Sequence, residues 1–304
     1  LGIAGDEAVG NRRGRLRDRG ENERTVGDRL RSRDVDGASD RHCRRRGGPH
    51  LLTHLFHPTD IGQTRGMCGR YVSAAKKSTI SRQFDASSAD AYELAPDYNV
   101  APSKKVYAVM NRHDERELKV IRWGLIPSWA KDPKIGSRMN NARLETAAQK
   151  PSFRAAWKKR RAIIPADGYY EWYSSPVDPA TSKKPAKQPY YIHPTDGSLM
   201  AMAGLYEIWR DPTVANDDDP EAFRWTCAIL TTTSTDELGR IHDRMPLLVS
   251  PENTAEWLDP TNPAPAPELL VPAAPGLLDA YPVSTMVNKV SNNNASLIEP
   301  LPAE

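Results

Sequence analysis

The chain has 304 residues, 38% of them hydrophobic, with 26 prolines and a mean hydropathy of -0.64, which suggests one core with generous irregular segments. No apolar run of roughly 18 residues occurs, which excludes a transmembrane helix, and residues 1–66 lack the apolar centre of a secretory signal. The three cysteines, Cys43, Cys68 and Cys227, are few and irregularly spaced, so a reducing, cytosolic (cytoplasmic) location is expected rather than a disulfide scaffold.

The formal net charge of +3 divides unevenly. Residues 1–66 hold 14 Arg and no Lys against 10 acidic residues, leaving 28 basic and 29 acidic residues downstream. The bulk charge of that body predicts no polyanion partner, so a nucleic-acid site there has to come from a local cluster of arginines. Residues 1–66 are rich in Arg, Asp and Gly and nearly free of aromatic residues, a composition that predicts disorder. Their lack of lysine favours upstream sequence read through a misplaced start over a genuine basic arm. His42, Cys43, His50, His54 and His57 match no zinc spacing, and no metal or cofactor is expected.

The texture changes at Met67. A methionine followed by a small residue is how a chain presents an N-terminal cysteine, and a Cys68 so exposed would carry both a thiol and an α-amine. That amine has a pKa of about 7.7–8.0 against about 10.4 for lysine, so far more of it is neutral at pH 7 and able to attack an aldehyde.

Tyr71 to Ser73 reads as extended and Ala75 to Phe84 as helical. Tyr98-Asn99-Val100-Ala101-Pro102 and Val106 to Met110 read as an extended segment and a strand, and Asn111 to Glu117 as the turn before Leu118 to Trp123 pairs back. Gly124 to Arg138 is irregular, too polar for core and too aromatic for an idle loop. Leu144 to Arg161 has near-helical spacing and ends in the cationic run Lys158-Lys159-Arg160-Arg161. Ala162 to Pro165 and Gly168 to Trp172 flank a bend, and Ser174 to Gln188 is a loop. Tyr190 to His193 and Leu199 to Leu205 flank Asp196-Gly197, a hairpin signal. Arg224 to Thr232 and Leu247 to Ser250 are strands, Asp236 to Ile241 a helical turn, Pro251 to Leu258 a short helix, Pro260 to Pro275 a surface linker and Tyr281 to Ser284 a last strand. Many short strands without βαβ alternation predict an α+β domain of curved, mainly antiparallel sheets with flanking short helices.

Four stretches hold more reactive polar groups than a core needs: Cys68-Gly69-Arg70, Met139 to Glu145 with its Asn-Ala-Arg triplet, Asp167-Gly168-Tyr169-Tyr170-Glu171-Trp172, and Ile241-His242-Asp243-Arg244-Met245-Pro246. Together with Tyr98 to Pro102, Trp123-Gly124, Ile229-Leu230-Thr231-Thr232 and Pro282-Val283-Ser284, in that order, they closely resemble the SRAP family. These are the SOS response-associated peptidases, also called abasic site processing proteins, and the resemblance runs from Met67 to about Pro300.

The resemblance implies a single SRAP-like domain over 67–300. It implies recognition of abasic sites in single-stranded DNA and a covalent crosslink, a thiazolidine, formed through Cys68. It places Asn141, Glu171 and His242 with Cys68 in the catalytic set, and Arg70, Arg143, Thr231 and Arg244 on the DNA. The residues suit these roles: Glu171 and His242 can move protons, the arginines can take phosphates, and Trp123 and Trp129 can stack on bases. Aromatic neighbours would desolvate Glu171 and raise its pKa.

Taken singly, each residue has a plainer reading. Asn140-Asn141 would cap a helix, Arg143 would be a surface cation, Glu171 one end of a salt bridge, Trp123 and Trp129 core, and Cys227 a buried small hydrophobe. Two other functions use the same groups. One is a cysteine peptidase with Cys68 as nucleophile and His242 as base, including self-cleavage before Cys68, with lyase chemistry on the DNA as a further possibility. The other is a single-stranded DNA binder without chemistry. No membrane partner is expected, and a monomer is the default.

Overall fold

Strands dominate the computed structural model, which describes residues 69–88, 92–175, 187–235 and 238–302. The Arg-rich extension, its His and Cys residues, and Cys68 itself lie outside the described residues. Two sheets carry the architecture. In the first, the order is β12 (Leu278–Pro282), β8 (Lys187–Pro194), β7 (Gly168–Ser174), β1 (Arg70–Ser73) and β2 (Asp97–Val100), all antiparallel.

The second sheet contains β3 (Lys105–Arg112), β4 (Glu115–Trp123), β5 (Asn141–Arg143), β6 (Arg161–Ala166), β9 (Met200–Arg210), β10 (Phe223–Thr233) and β11 (Arg244–Pro246). Its pairings close a ring, β10 to β4 to β3 to β6 to β9 and back to β10. Closure removes the exposed edges that an open sheet would leave. Alternation along the strands then buries both faces. Met110, Ile121, Ile164 and Met202 face one core shared with Tyr71 and Tyr169 of the first sheet, and Val109, Leu118, Ile163 and Leu205 face a second. That second core is covered by α1 (Lys77–Gln83), α2 (Leu144–Ala147), α3 (Arg154–Lys159) and α5 (Thr254–Leu258).

The α+β expectation holds, with corrections of detail. The β3–β4 turn is only His113-Asp114, both at positive φ (50° and 63°) between the paired Arg112 and Glu115, the geometry whose twist matches a hairpin. The single helix expected over 144–161 is two. Pro151 has no N–H and restricts the residue before it, so the chain turns between α2 and α3.

The hairpin expected around Asp196-Gly197 does not form. Gly197 does turn the chain at φ 70°, but β8 pairs in the first sheet and β9 in the second. A turn signal sets local direction; burial of both faces chooses the partners. Near the C-terminus, β11 ends at Pro246 and Leu248 only bridges Met202. The Pro-rich linker is partly embedded through buried Leu269 and Ala273.

The cationic run divides: Lys158 and Lys159 form the exposed last turn of α3, as expected, whereas Arg160 and Arg161 are drawn into the fold. Arg160 pairs with Glu207 at 2.7 Å. Arg161, only 3% exposed, donates to the carbonyls of Trp257 (2.5 Å), Trp157 (2.8 Å), Asn262 (2.8 Å) and Asp259. It ties the end of α5 and the chain after it to β6, with its guanidinium over the Trp257 ring.

Candidate functional site

The antiparallel register of β1 on β7 sets Arg70 opposite Tyr170. The chain leading into β1 therefore enters beside Glu171, which is 2% exposed and lies opposite Tyr190 of β8. A short helix, α4 (Leu238–Ile241), packs against β7 and ends at His242. The Arg244 backbone N–H points at His242 Nδ1 at 3.1 Å. Asp243 Oδ1 also lies 3.1 Å from that nitrogen, but Nδ1 cannot both accept and donate. Nδ1 accepts the backbone N–H, since the exposed Asp243 carboxylate can turn into solvent; His242 then carries its proton on Nε2.

Strand β10 assembles the other groups. On one side β4 gives way to β5, which sets Asn141 opposite Ile229 and Arg143 opposite Thr231; on the other, β9 gives way to β11, with Thr231 opposite Pro246. Asn141 is half-buried in a strand, not a helix cap, and the residue preceding α2 is Arg143, which is exposed. The carbonyl just before Asn141 is held twice, by the Ile229 N–H (3.0 Å) and by the Trp123 indole (2.8 Å).

Trp123 is thus a correction. It is buried edge-on against Tyr71, with ring centroids 5.2 Å apart, and no base can stack on it; its work is to seat β5. Thr231 is likewise fully buried, and its carbonyl accepts from Arg244 at 2.5 Å. It positions that arginine and is not open to DNA.

Trp129 behaves differently. Its loop is pinned by the Trp209 indole on the Ala130 carbonyl (2.7 Å) and by the Ile126 N–H on Thr226 Oγ1 (2.9 Å), yet Trp129 itself is 58% exposed. A large ring held out on a fixed loop is available to a partner.

Two arginines are already engaged. Arg244 forms a fork with Glu145, Nη1 to Oε1 at 2.5 Å and Nη2 to Oε2 at 3.0 Å, and this hydrogen bonding holds the Glu145 carboxyl below the ordinary glutamate range. Arg70 donates from Nη1 to Asn99 Oδ1 (2.8 Å) and the Val287 carbonyl (2.9 Å), and from Nη2 to the Asn288 carbonyl (3.4 Å). Burial lowers its pKa, but a guanidinium stays charged and keeps donors for an outside anion.

Sequence reasoning assigned no role to Asn99 or Glu145. Asn99 is buried and gives its amide to the carbonyls of Val287, Lys289 and Asn292 at 3.0–3.2 Å. None of the candidate residues lines the 750 Å³ pocket between α1 and the segments 194–201, 248–254 and 268–278.

A family profile described as SOS response associated peptidase (SRAP) matches residues 67–290. The chain belongs to the SRAP family. Among its SRAP relatives, the abasic site processing protein YoqW of Bacillus subtilis is 42% identical over 239 residues, covering 77% of this chain and 99% of that one. The abasic site processing protein YedK of Escherichia coli is 34% identical over 210 residues, covering 67% and 84%. An X-ray structure of a protein from Bacteroides thetaiotaomicron superposes with a TM-score of 0.66 at 28% identity, covering 77% of this chain and all of that one.

Proposed function

We propose that this SRAP protein recognises abasic sites in single-stranded DNA and captures them covalently through Cys68 when that residue is the N-terminus. The names of the relatives support abasic-site recognition. The observation that supports the finer reading is the register of β1 on β7, which sets Arg70 opposite Tyr170 with buried Glu171 next along β7, together with the packing of α4, the helix just before His242, on the same strand. Two peptide units keep the Cys68 Cα within about 7 Å of that of Arg70.

The chemistry follows from the two nucleophiles. The neutral α-amine adds to the C1′ aldehyde of the opened sugar, and the carbinolamine loses water to give an imine. The Cys68 thiol then adds across the C=N bond, its sulfur to carbon and its proton to nitrogen. The net change is loss of one water and closure of a five-membered ring. Glu171 and His242 supply and remove the protons, and Asn141 holds a sugar hydroxyl or the amine. Arg143, with Arg70 and Arg244, takes phosphates.

The test incubates protein beginning at Cys68 with single-stranded DNA bearing one abasic site and resolves it on a denaturing gel. A retained band is expected, and its absence with intact reversible binding would leave a plain binder. Shortening of the full chain between Met67 and Cys68, blocked by Glu171→Ala or His242→Ala, would support self-processing.

Two smaller effects follow. Trp129→Ala is expected to weaken single-stranded DNA binding by about 1–2 kcal/mol, measured by fluorescence anisotropy, with the melting temperature unchanged. Glu145→Gln is expected to tighten binding about two- to fivefold, because it removes a charge that competes with phosphate for Arg244. The same pair sets a pH dependence. A carboxyl held low in the fold contributes stability above its unfolded pKa of about 4.3 and loses it only as pH falls through the lower folded value. The Glu145–Arg244 latch therefore stays closed at neutral pH and opens in acid, which carboxyl chemical shifts would follow.

A further inference from the structure

The segment Met286 to Asn292 touches both β1 and β7, the strands that frame the site. Arg70 of β1 holds the Val287 and Asn288 carbonyls. Trp172, the residue after Glu171, gives its indole N–H to Asn288 Oδ1 at 2.7 Å. Asn99 binds three carbonyls of the segment, and the Asn292 amide closes onto the Met286 carbonyl at 2.8 Å.

A loop so fully satisfied is preorganised, and Val287 is its buried anchor. What it presents outward is unusual for a polar rim. Met286 is 53% exposed, Val290 is 43% exposed, and Lys289 between them is exposed as well. Two apolar side chains flanking a cation, on a well-bonded loop, offer a surface for a base face and a nearby phosphate.

We infer that Met286, Lys289 and Val290 form a positioning surface for the DNA strand on one side of the lesion, Lys289 on a phosphate and the two apolar side chains against a neighbouring base. The inference rests on the abasic-site reading above. A strand whose opened sugar reaches the start of β1 beside β7 runs close to this loop, because Arg70 of β1 and Trp172 of β7 both bind it directly. The surface adds affinity without touching the reacting atoms, so it shifts binding and leaves the chemical step alone.

The test uses the full chain and single-stranded oligonucleotides carrying a tetrahydrofuran abasic analogue, which cannot crosslink. Affinity is read by fluorescence anisotropy across a salt series. Lys289→Glu is expected to weaken binding about fivefold and to lower the slope of log K against log salt by about one. Met286→Ser with Val290→Ser is expected to weaken it about fivefold with the slope unchanged. Oligonucleotides with bases on only the 5′ or only the 3′ side of the lesion should show the loss for one flank and not the other.

Val271→Ser, an exposed apolar residue outside this segment, serves as the control and should bind like the unsubstituted chain. Equal losses on both flanks, or affinities unchanged in both variants, overturn the inference; the second result is also what a protein-docking role for the patch would give. Failure of the unsubstituted chain to bind the abasic strand at all would instead overturn the reading on which the inference rests, and the inference with it.

Discussion

A chain that begins at Cys68 and carries Cys68→Ala is expected to form no adduct that survives a denaturing gel, while its reversible affinity for abasic single-stranded DNA stays within about twofold of the unsubstituted protein. The α-amine remains, so the imine still forms. Without the thiol no ring closes, and the imine hydrolyses when the complex is denatured. Sodium cyanoborohydride should therefore rescue a band in the variant by reducing the C=N bond, which separates loss of the thiol from loss of the amine.

The other cysteine of this body cannot substitute. Cys227 is fully buried in β10, and burial pushes its thiol well above the ordinary range, so it remains a protonated core residue. Acetylating the amine with Cys68 intact should abolish the band with or without reductant. A Cys68→Ala variant that crosslinks as the unsubstituted protein does, without reductant, would remove the proposed chemistry.

The second large effect is on stability. Arg161→Met is expected to destabilise the fold by about 3–5 kcal/mol, because it strands four buried or part-buried carbonyls that the guanidinium now satisfies. For a body of this size that corresponds to a fall in melting temperature of roughly 10 °C. Arg161→Lys keeps the charge but cannot spread donors over four acceptors in a plane, so an intermediate loss is expected. Urea titration followed by tryptophan fluorescence reads both, since Trp157 and Trp257 pack against each other at 6.2 Å beside the cation. A loss below about 1 kcal/mol for the methionine variant would mean that the carbonyls find water instead.

Local features and tertiary packing were legible in the sequence to different degrees. Many short strands, few helices and the lack of βαβ alternation were enough for an α+β body of mainly antiparallel strands, although the Asp196-Gly197 signal named the wrong strand partners. The ordered motifs were enough for the family, because each demands particular residue types at particular spacings. Cys68 was singled out by its place after Met67, and its proposed chemistry is what the adduct experiment tests.

Arg161 was not legible, since the last of four consecutive cations at a helix end looks like the others until β6 pairs with β9 and draws it inward. Trp123 and Trp129 make the same point. They have the same residue type and lie six positions apart, yet one seats β5 in the core and the other stands in solvent. Nor could spacing reveal that Asn99, Glu145 and the loop at Met286 to Asn292 belong beside residues far away in the chain. Local propensity and motif order determined what this protein is made of and which family it joins. Only the closing of the β10–β4–β3–β6–β9 ring, and the packing of the first sheet against it, decided which of its polar groups are satisfied internally and which are left to meet a ligand. Burial is a property of the whole assembly, and the cost of an unsatisfied buried group is paid only once that assembly exists.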